Sequence, residues 1–136
     1  MEKSPEFIRR NYSPLVLAYL GDAYFELLAR EYIVGDGNCR VSSINEDIKM
    51  FVTAVSQSEI IGSLIPYLTD EETDFYKYGR NARNTHRSKS AQAIEYRRAT
   101  GLECLFGFLY VSGRADRAHE LFTYAAKLRG GDNQGE

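Results

Sequence analysis

A chain of 136 residues, 43% of them hydrophobic and 26% charged, is the size of one domain with one core and leaves no room for an appended module. Its formal net charge of −2 excludes a generally basic protein, and no apolar run reaches the ~18 uncharged residues of a membrane span. Cys39 and Cys104 stand far from any Cys-x-x-Cys spacing and the only histidines are His86 and His119, so no structural zinc is expected, and an inert core thiol is expected at Cys104.

Helical periodicity with clear start and stop signals runs through most of the chain, which predicts an all-α single domain of about six helices. The opening MEKSPEFIRRNYS lacks the basic-then-apolar order of a signal peptide. Residues 1–12 are therefore read as an N-terminal extension of a cytoplasmic protein with no membrane partner. Ser13 and Pro14 form an N-cap and first-turn proline for a long helix that should end at the Gly35–Gly37 turn. Ser42 or Ser43 is expected to cap a second helix through about Ala54. Ser56 to Glu59 reads as a capping box for a short third helix ending near Pro66, and Thr69 to Glu72 as the same box for a fourth, from Asp70 to about Gly79. A fifth helix should run from Ser90 to Gly113, and a sixth from Ala115 to Leu128. Residues 13–129 would form the domain, and 130–136, GGDNQGE at its core, a disordered tail.

Two acids stand out. Asp22 lies in LVLAYLGDAYFELLAREYIV with no basic residue within four positions, and Glu103 lies in RRATGLECLFGFLYV beside Leu102, Cys104, Leu105 and Phe106. For either alone, a salt-bridged helix residue is the plainer reading. Together, two acids buried in apolar surroundings on two helices, without intrahelical cations, point to a divalent cation site.

Charge is unevenly distributed. Residues 77–98 hold Lys77, Arg80, Arg83, Arg87, Lys89, Arg97 and Arg98 against Glu95 alone, a net of +6, which leaves about −8 for the rest. Within it, YGRNARNTHRSKSAQ adds Asn81, Asn84, Thr85, Ser88 and Ser90, which suit phosphate and ribose oxygens, so a nucleic-acid backbone is the natural partner of this segment. A solvated basic loop is the bland alternative. Tyr76, Tyr78 and Tyr96 flank the loop and fit either a core or a base-stacking role.

In this order, LAYLGDAYFELL, GRNAR and GLECLFGFLY resemble the signature elements of the ribonuclease III superfamily. The length and the lack of a double-stranded-RNA-binding domain narrow the resemblance to the Mini-III ribonucleases, over about residues 13–128. That resemblance implies a homodimeric, magnesium-dependent endonuclease of double-stranded RNA leaving 5′-phosphate ends, with manganese as a substitute ion. Asp22 and Glu103 would be its catalytic, metal-holding acids, and Arg80, Asn81, Arg83, Arg87 and Lys89 would contact RNA. Larger ribonuclease III enzymes have two further acids where this chain has Ala18 and Thr100, which leaves the ion fewer direct ligands. The resemblance implies maturation of precursor 23S ribosomal RNA, with ribosomal proteins as auxiliary partners. The dimer is expected to form over the first long helix, through Leu15, Leu17, Ala18, Tyr19, Leu20, Tyr24 and Phe25. A non-catalytic dimeric RNA-binding or ribosome-associated protein on the same fold is the competing expectation. A helical protein-interaction module leaves both acids unexplained.

Overall fold

Hydroxyl caps begin the long helices where the sequence places them. Ser13 Oγ accepts the Val16 N–H at 3.2 Å and Ser90 Oγ the Ala93 N–H at 3.2 Å. At Thr69 both arms of the capping box form: Thr69 Oγ1 accepts the Glu72 N–H at 3.1 Å, and Glu72 Oε1 accepts the Thr69 N–H at 2.9 Å. The computed structural model describes residues 2–35, 37, 40–82 and 90–134. Its elements are α1 (Pro5–Asn11), α2 (Pro14–Val34), α3 (Val41–Asp47), α4 (Lys49–Val52) and α5 (Ala54–Leu64) with a 3-10 turn at Ile65–Tyr67. Then come α6 (Asp70–Arg80), α7 (Ala91–Val111) and α8 (Ala115–Gln134). No strand occurs among the described residues, so the fold is all-α. Gly35, at φ 66° and ψ −134°, ends α2 in a positive-φ conformation that residues with a side chain rarely adopt.

The structure adds one element and corrects three expectations. The N-terminal extension contains a helix, α1, capped by Ser4 and anchored by Ile8, which is fully buried. The helix expected from Ser42 or Ser43 to Ala54 instead starts after Arg40, which makes no side-chain cap, breaks at Ile48 and ends at Val52. Thr53, in extended conformation, caps α5 by accepting the Ser56 N–H at 3.1 Å, three residues before the cap expected at Ser56. Finally, α8 does not stop at Leu128: its backbone continues to Gln134 through residues expected to form a disordered tail. Each glycine there costs only ~1 kcal/mol relative to alanine, less than is needed to stop an established helix.

The core forms around α7, whose Leu102, Leu105, Phe106, Phe108 and Leu109 are fully buried. Helix α2 meets it through Phe25 and Phe106, edge to face at 5.0 Å, and α6 through Phe75 and Phe108, stacked at 4.0 Å. Helix α5 lies against a third side of α7. Among the described residues, no single helix is long and apolar enough to cross a membrane.

Candidate active site

Two glycines decide how closely α2 and α7 approach. A Cβ on Gly21 would sit 1.6 Å from the Glu103 carbonyl oxygen, and one on Gly107 would sit 2.0 Å from the Leu17 carbonyl oxygen. The helices therefore touch backbone to backbone, and any larger residue would push them apart. Asp22 follows Gly21 directly, so this crossing sets it beside Glu103. Neither glycine was among the predicted site residues. The signal was present in LGDA and LFG, where a glycine stands next to each apolar core position of the crossing.

Asp22 is the charged side chain set against the Glu103 carboxyl. Burial pushes the Glu103 carboxyl up to about 8, helped by the Asp22 charge. Near neutral pH, Glu103 accordingly keeps its proton. Among the described residues, no salt bridge is formed with either acid.

Asp22 departs from expectation in one respect: it is exposed, while Glu103 is partly buried. The helix phase explains this. Leu17, Ala18, Gly21, Phe25 and Leu28 take the inward face of α2, and a step of one residue from Gly21 turns Asp22 by about 100° toward the surface. The pair is thus a site with one acid at its floor and one at its rim, open to a ligand from solution.

Ala18 and Thr100, the two positions that differ from larger ribonuclease III enzymes, are each only 6% exposed. Thr100 Oγ1 donates to the Tyr96 carbonyl at 3.0 Å within its own helix. The described residues bring no third histidine, cysteine, aspartate or glutamate into the cluster. Two carboxylates without a cation, one of them forced to hold a proton, fit a hydrated hard dication such as magnesium, which binds through one or two carboxylates and keeps several waters.

The predicted RNA contacts divide. Arg80 and Asn81 end α6, with Arg80 Nε donating to Asn81 Oδ1 at 3.1 Å. Arg83, Arg87 and Lys89 lie outside the described residues, as do Cys39 and His86. Of the flanking tyrosines, Tyr76 is buried, and Tyr78 donates its hydroxyl to the Tyr12 carbonyl at 2.8 Å beneath the Arg9 guanidinium. Both belong to the packing and neither to a stacking platform. Cys104 is fully buried, and burial pushes its thiol up to about 12, as an inert core cysteine requires.

The apolar surface of α2 is not the set read from sequence either. Leu17, Ala18 and Phe25 are buried within the chain's own core, whereas Leu15, Val16, Tyr19, Ala23 and Leu27 are exposed, Tyr19 at 80%. Their spacing lays a strip along α2 immediately beside Asp22, and Tyr110 extends it from α7, its ring 5.1 Å from that of Tyr24.

The Ribonuclease III domain family matches residues 15–114, which contain both acids. Among curated proteins, the chain is 42% identical to Mini-ribonuclease 3 of Symbiobacterium thermophilum over 83% of its own length and 87% of that protein's. It is 35% identical to Mini-ribonuclease 3 of Brevibacillus brevis, over 89% and 90%. Among solved structures, it superposes on the X-ray structure of a Fusobacterium nucleatum protein with a TM-score of 0.76 at 31% identity, covering 88% of this chain and 96% of that one.

Proposed function

The chain belongs to the ribonuclease III family, on its Mini-ribonuclease 3 branch, and is an endoribonuclease; from that premise we propose that it cuts double-stranded RNA with a magnesium ion held by Asp22 and Glu103. The observation that carries this reading is the carboxyl pair itself, in which the fold leaves Glu103 to keep a proton that a cation would displace. Magnesium, or manganese in its place, would supply positive charge for the transferring phosphoryl group and a water of lowered pKa.

The chain's own residues do the rest. Gly21 and Gly107 fix the distance between the two acids through the helix crossing. Asp22 at the rim and Glu103 at the floor would hold the ion between them, with the Glu103 proton passing to bulk water when it binds. Arg80 and Asn81, with Arg83, Arg87 and Lys89 from the same basic segment, contact the RNA backbone. Sequence choice is loose, because A-form duplexes are read through shape, phosphates and 2′-hydroxyls. The products carry 5′-phosphate ends.

Two strands require two sites related by a twofold axis, which a homodimer over the exposed strip Leu15, Val16, Tyr19, Ala23 and Leu27 would provide. That strip borders Asp22, so pairing would place the two acid pairs on one continuous surface. The cellular task is maturation of precursor 23S ribosomal RNA in the cytoplasm, with ribosomal proteins shaping the substrate.

The test is incubation of a long double-stranded RNA with the protein in magnesium, beside Asp22→Asn and an EDTA control. Cleavage lost in both controls supports the reading. RNA bound but left intact by the wild type in magnesium would favour the scaffold alternative.

A further inference from the structure

On the flank of α7 that faces away from α2, a cavity of about 490 Å³ is lined by Ile65, Tyr76, Arg80, Asn81, Ile94, Arg97 and Arg98. This volume is within the ~300–1,000 Å³ range of small-ligand sites. Among the described residues, the lining includes the three arginines Arg80, Arg97 and Arg98. The apolar walls from Ile65, Ile94 and the Tyr76 ring strengthen the field of those charges inside.

Two of the arginines are held in place. Arg98 Nη2 donates to the Ser58 carbonyl at 3.0 Å and occupies the space left by Gly62, where a Cβ would lie 2.7 Å away. Its Nε is buried and has no hydrogen-bond partner among the described residues. The Arg80 guanidinium lies 5.5 Å over the Tyr76 ring with Nε fixed by Asn81. Arg97, from the same turn of α7 as Arg98, lines the cavity as well. Planar guanidinium forks presented from two helices suit the tetrahedral oxygens of a phosphate.

We propose that this cavity is a phosphate pocket, separate from the acid pair, that takes a backbone phosphate of the RNA away from the cleaved bond. The proposal rests on the ribonuclease reading above. Arg98 precedes Glu103 by five residues, so the pocket lies ~7.5 Å farther toward the N-terminus of α7, on a different face. A contact there fixes the register of the duplex without reading its sequence.

The experiment measures binding of a double-stranded RNA in EDTA across a potassium chloride series. It compares wild type, the double variant Arg80→Gln/Arg97→Gln, the charge-keeping Arg80→Lys/Arg97→Lys, and Lys127→Gln as a control on α8. Arg98 is left intact because it also anchors α5. For the glutamine pair, the slope of log affinity against log salt should become shallower by roughly one unit per arginine removed. The lysine pair should restore most of it, and Lys127→Gln should match wild type.

In a parallel arm, inorganic phosphate alone is titrated while the melting temperature is followed. Stabilisation of wild type but not of the glutamine pair, together with the altered RNA slope, supports the pocket as a site for RNA phosphate. Phosphate stabilisation with an unchanged RNA slope would mark a free-phosphate site and overturn the RNA assignment. An unchanged slope and no phosphate effect, in a protein whose wild type cleaves double-stranded RNA in magnesium, would overturn the pocket alone. A wild type that neither binds nor cleaves the RNA would overturn the reading beneath it.

Discussion

Two partly or fully buried acids in this fold have opposite surroundings. Glu72, 2% exposed, is capped by the Thr69 N–H and gripped by Arg117, whose Nε and Nη2 each donate to one of its oxygens at 2.8 Å. Burial works against its ionisation, but the bonds from Arg117 and Thr69 outweigh it and hold the carboxyl below its ordinary value. Glu103 also loses water, yet faces only Asp22, and its carboxyl is pushed up to about 8. A chain that supplies Glu72 with an arginine from α8 could have supplied Glu103 with one as well. Under the proposed function, completing one acid internally and leaving the other to an outside cation is what separates a structural from a catalytic carboxylate.

The contrast breaks first in activity. Glu103→Gln or Asp22→Asn should lower cleavage of double-stranded RNA by on the order of 10³-fold, as expected when preorganised charge stabilisation is lost. Glu72→Gln, assayed at a temperature where it stays folded, should remain within a few-fold of wild type. Equal losses from both acids would erase the distinction.

Stability should reverse the order. Arg117→Ala leaves Glu72 buried and unpaired and should cost roughly 3–5 kcal/mol in urea unfolding at neutral pH. The matching change at the other site has the opposite sign. A folded pKa raised from 4.5 to about 8 means that the protonated Glu103 favours folding fully below about 4.5. That contribution is lost as pH rises through about 8. In EDTA, Glu103→Gln should therefore gain on wild type between pH 5 and pH 9, by up to roughly 4 kcal/mol. For Glu72, whose folded value is lowered, the favourable contribution is present above 4.5 and is lost as pH falls below it, so the cost of Glu72→Gln should shrink in acid.

The smallest effect belongs to an acid that is neither. Glu26 accepts from Arg30 Nε at 2.9 Å on an exposed turn of α2, and Arg30→Ala should shift stability by only ~0.5 kcal/mol in the same urea assay. A loss of several kcal/mol there would mean that surface pairs carry more of this fold than buried ones.

Much of the architecture was legible because its signals are local. Ser13–Pro14, the Thr69–Glu72 box and Ser90 each satisfy donors within three residues, so a reader of sequence sees the whole interaction. The break at Ile48 was not legible, since neither Ser42 nor Ser43 signals where α3 gives way to α4. Helix α1 is seven residues long, too short for periodicity to register. The two acids were legible as a pair but not their depths. Apolar neighbours in sequence suggested burial for Asp22, whereas the phase of α2, set by Gly21 against α7, turns it outward. Arg98 was counted as charge and not as part of a cavity, because Ser58 and Gly62 approach it only through tertiary packing.

Under the proposed function, the proton on Glu103 is the one that a bound cation displaces, and calorimetric titration with magnesium in two buffers of different ionisation enthalpy measures that exchange directly. Near neutral pH, binding should release most of one proton, with the release falling toward zero well above pH 8, and Asp22→Asn should lose the binding. Magnesium that binds without proton release, or equally well to Asp22→Asn, would contradict it.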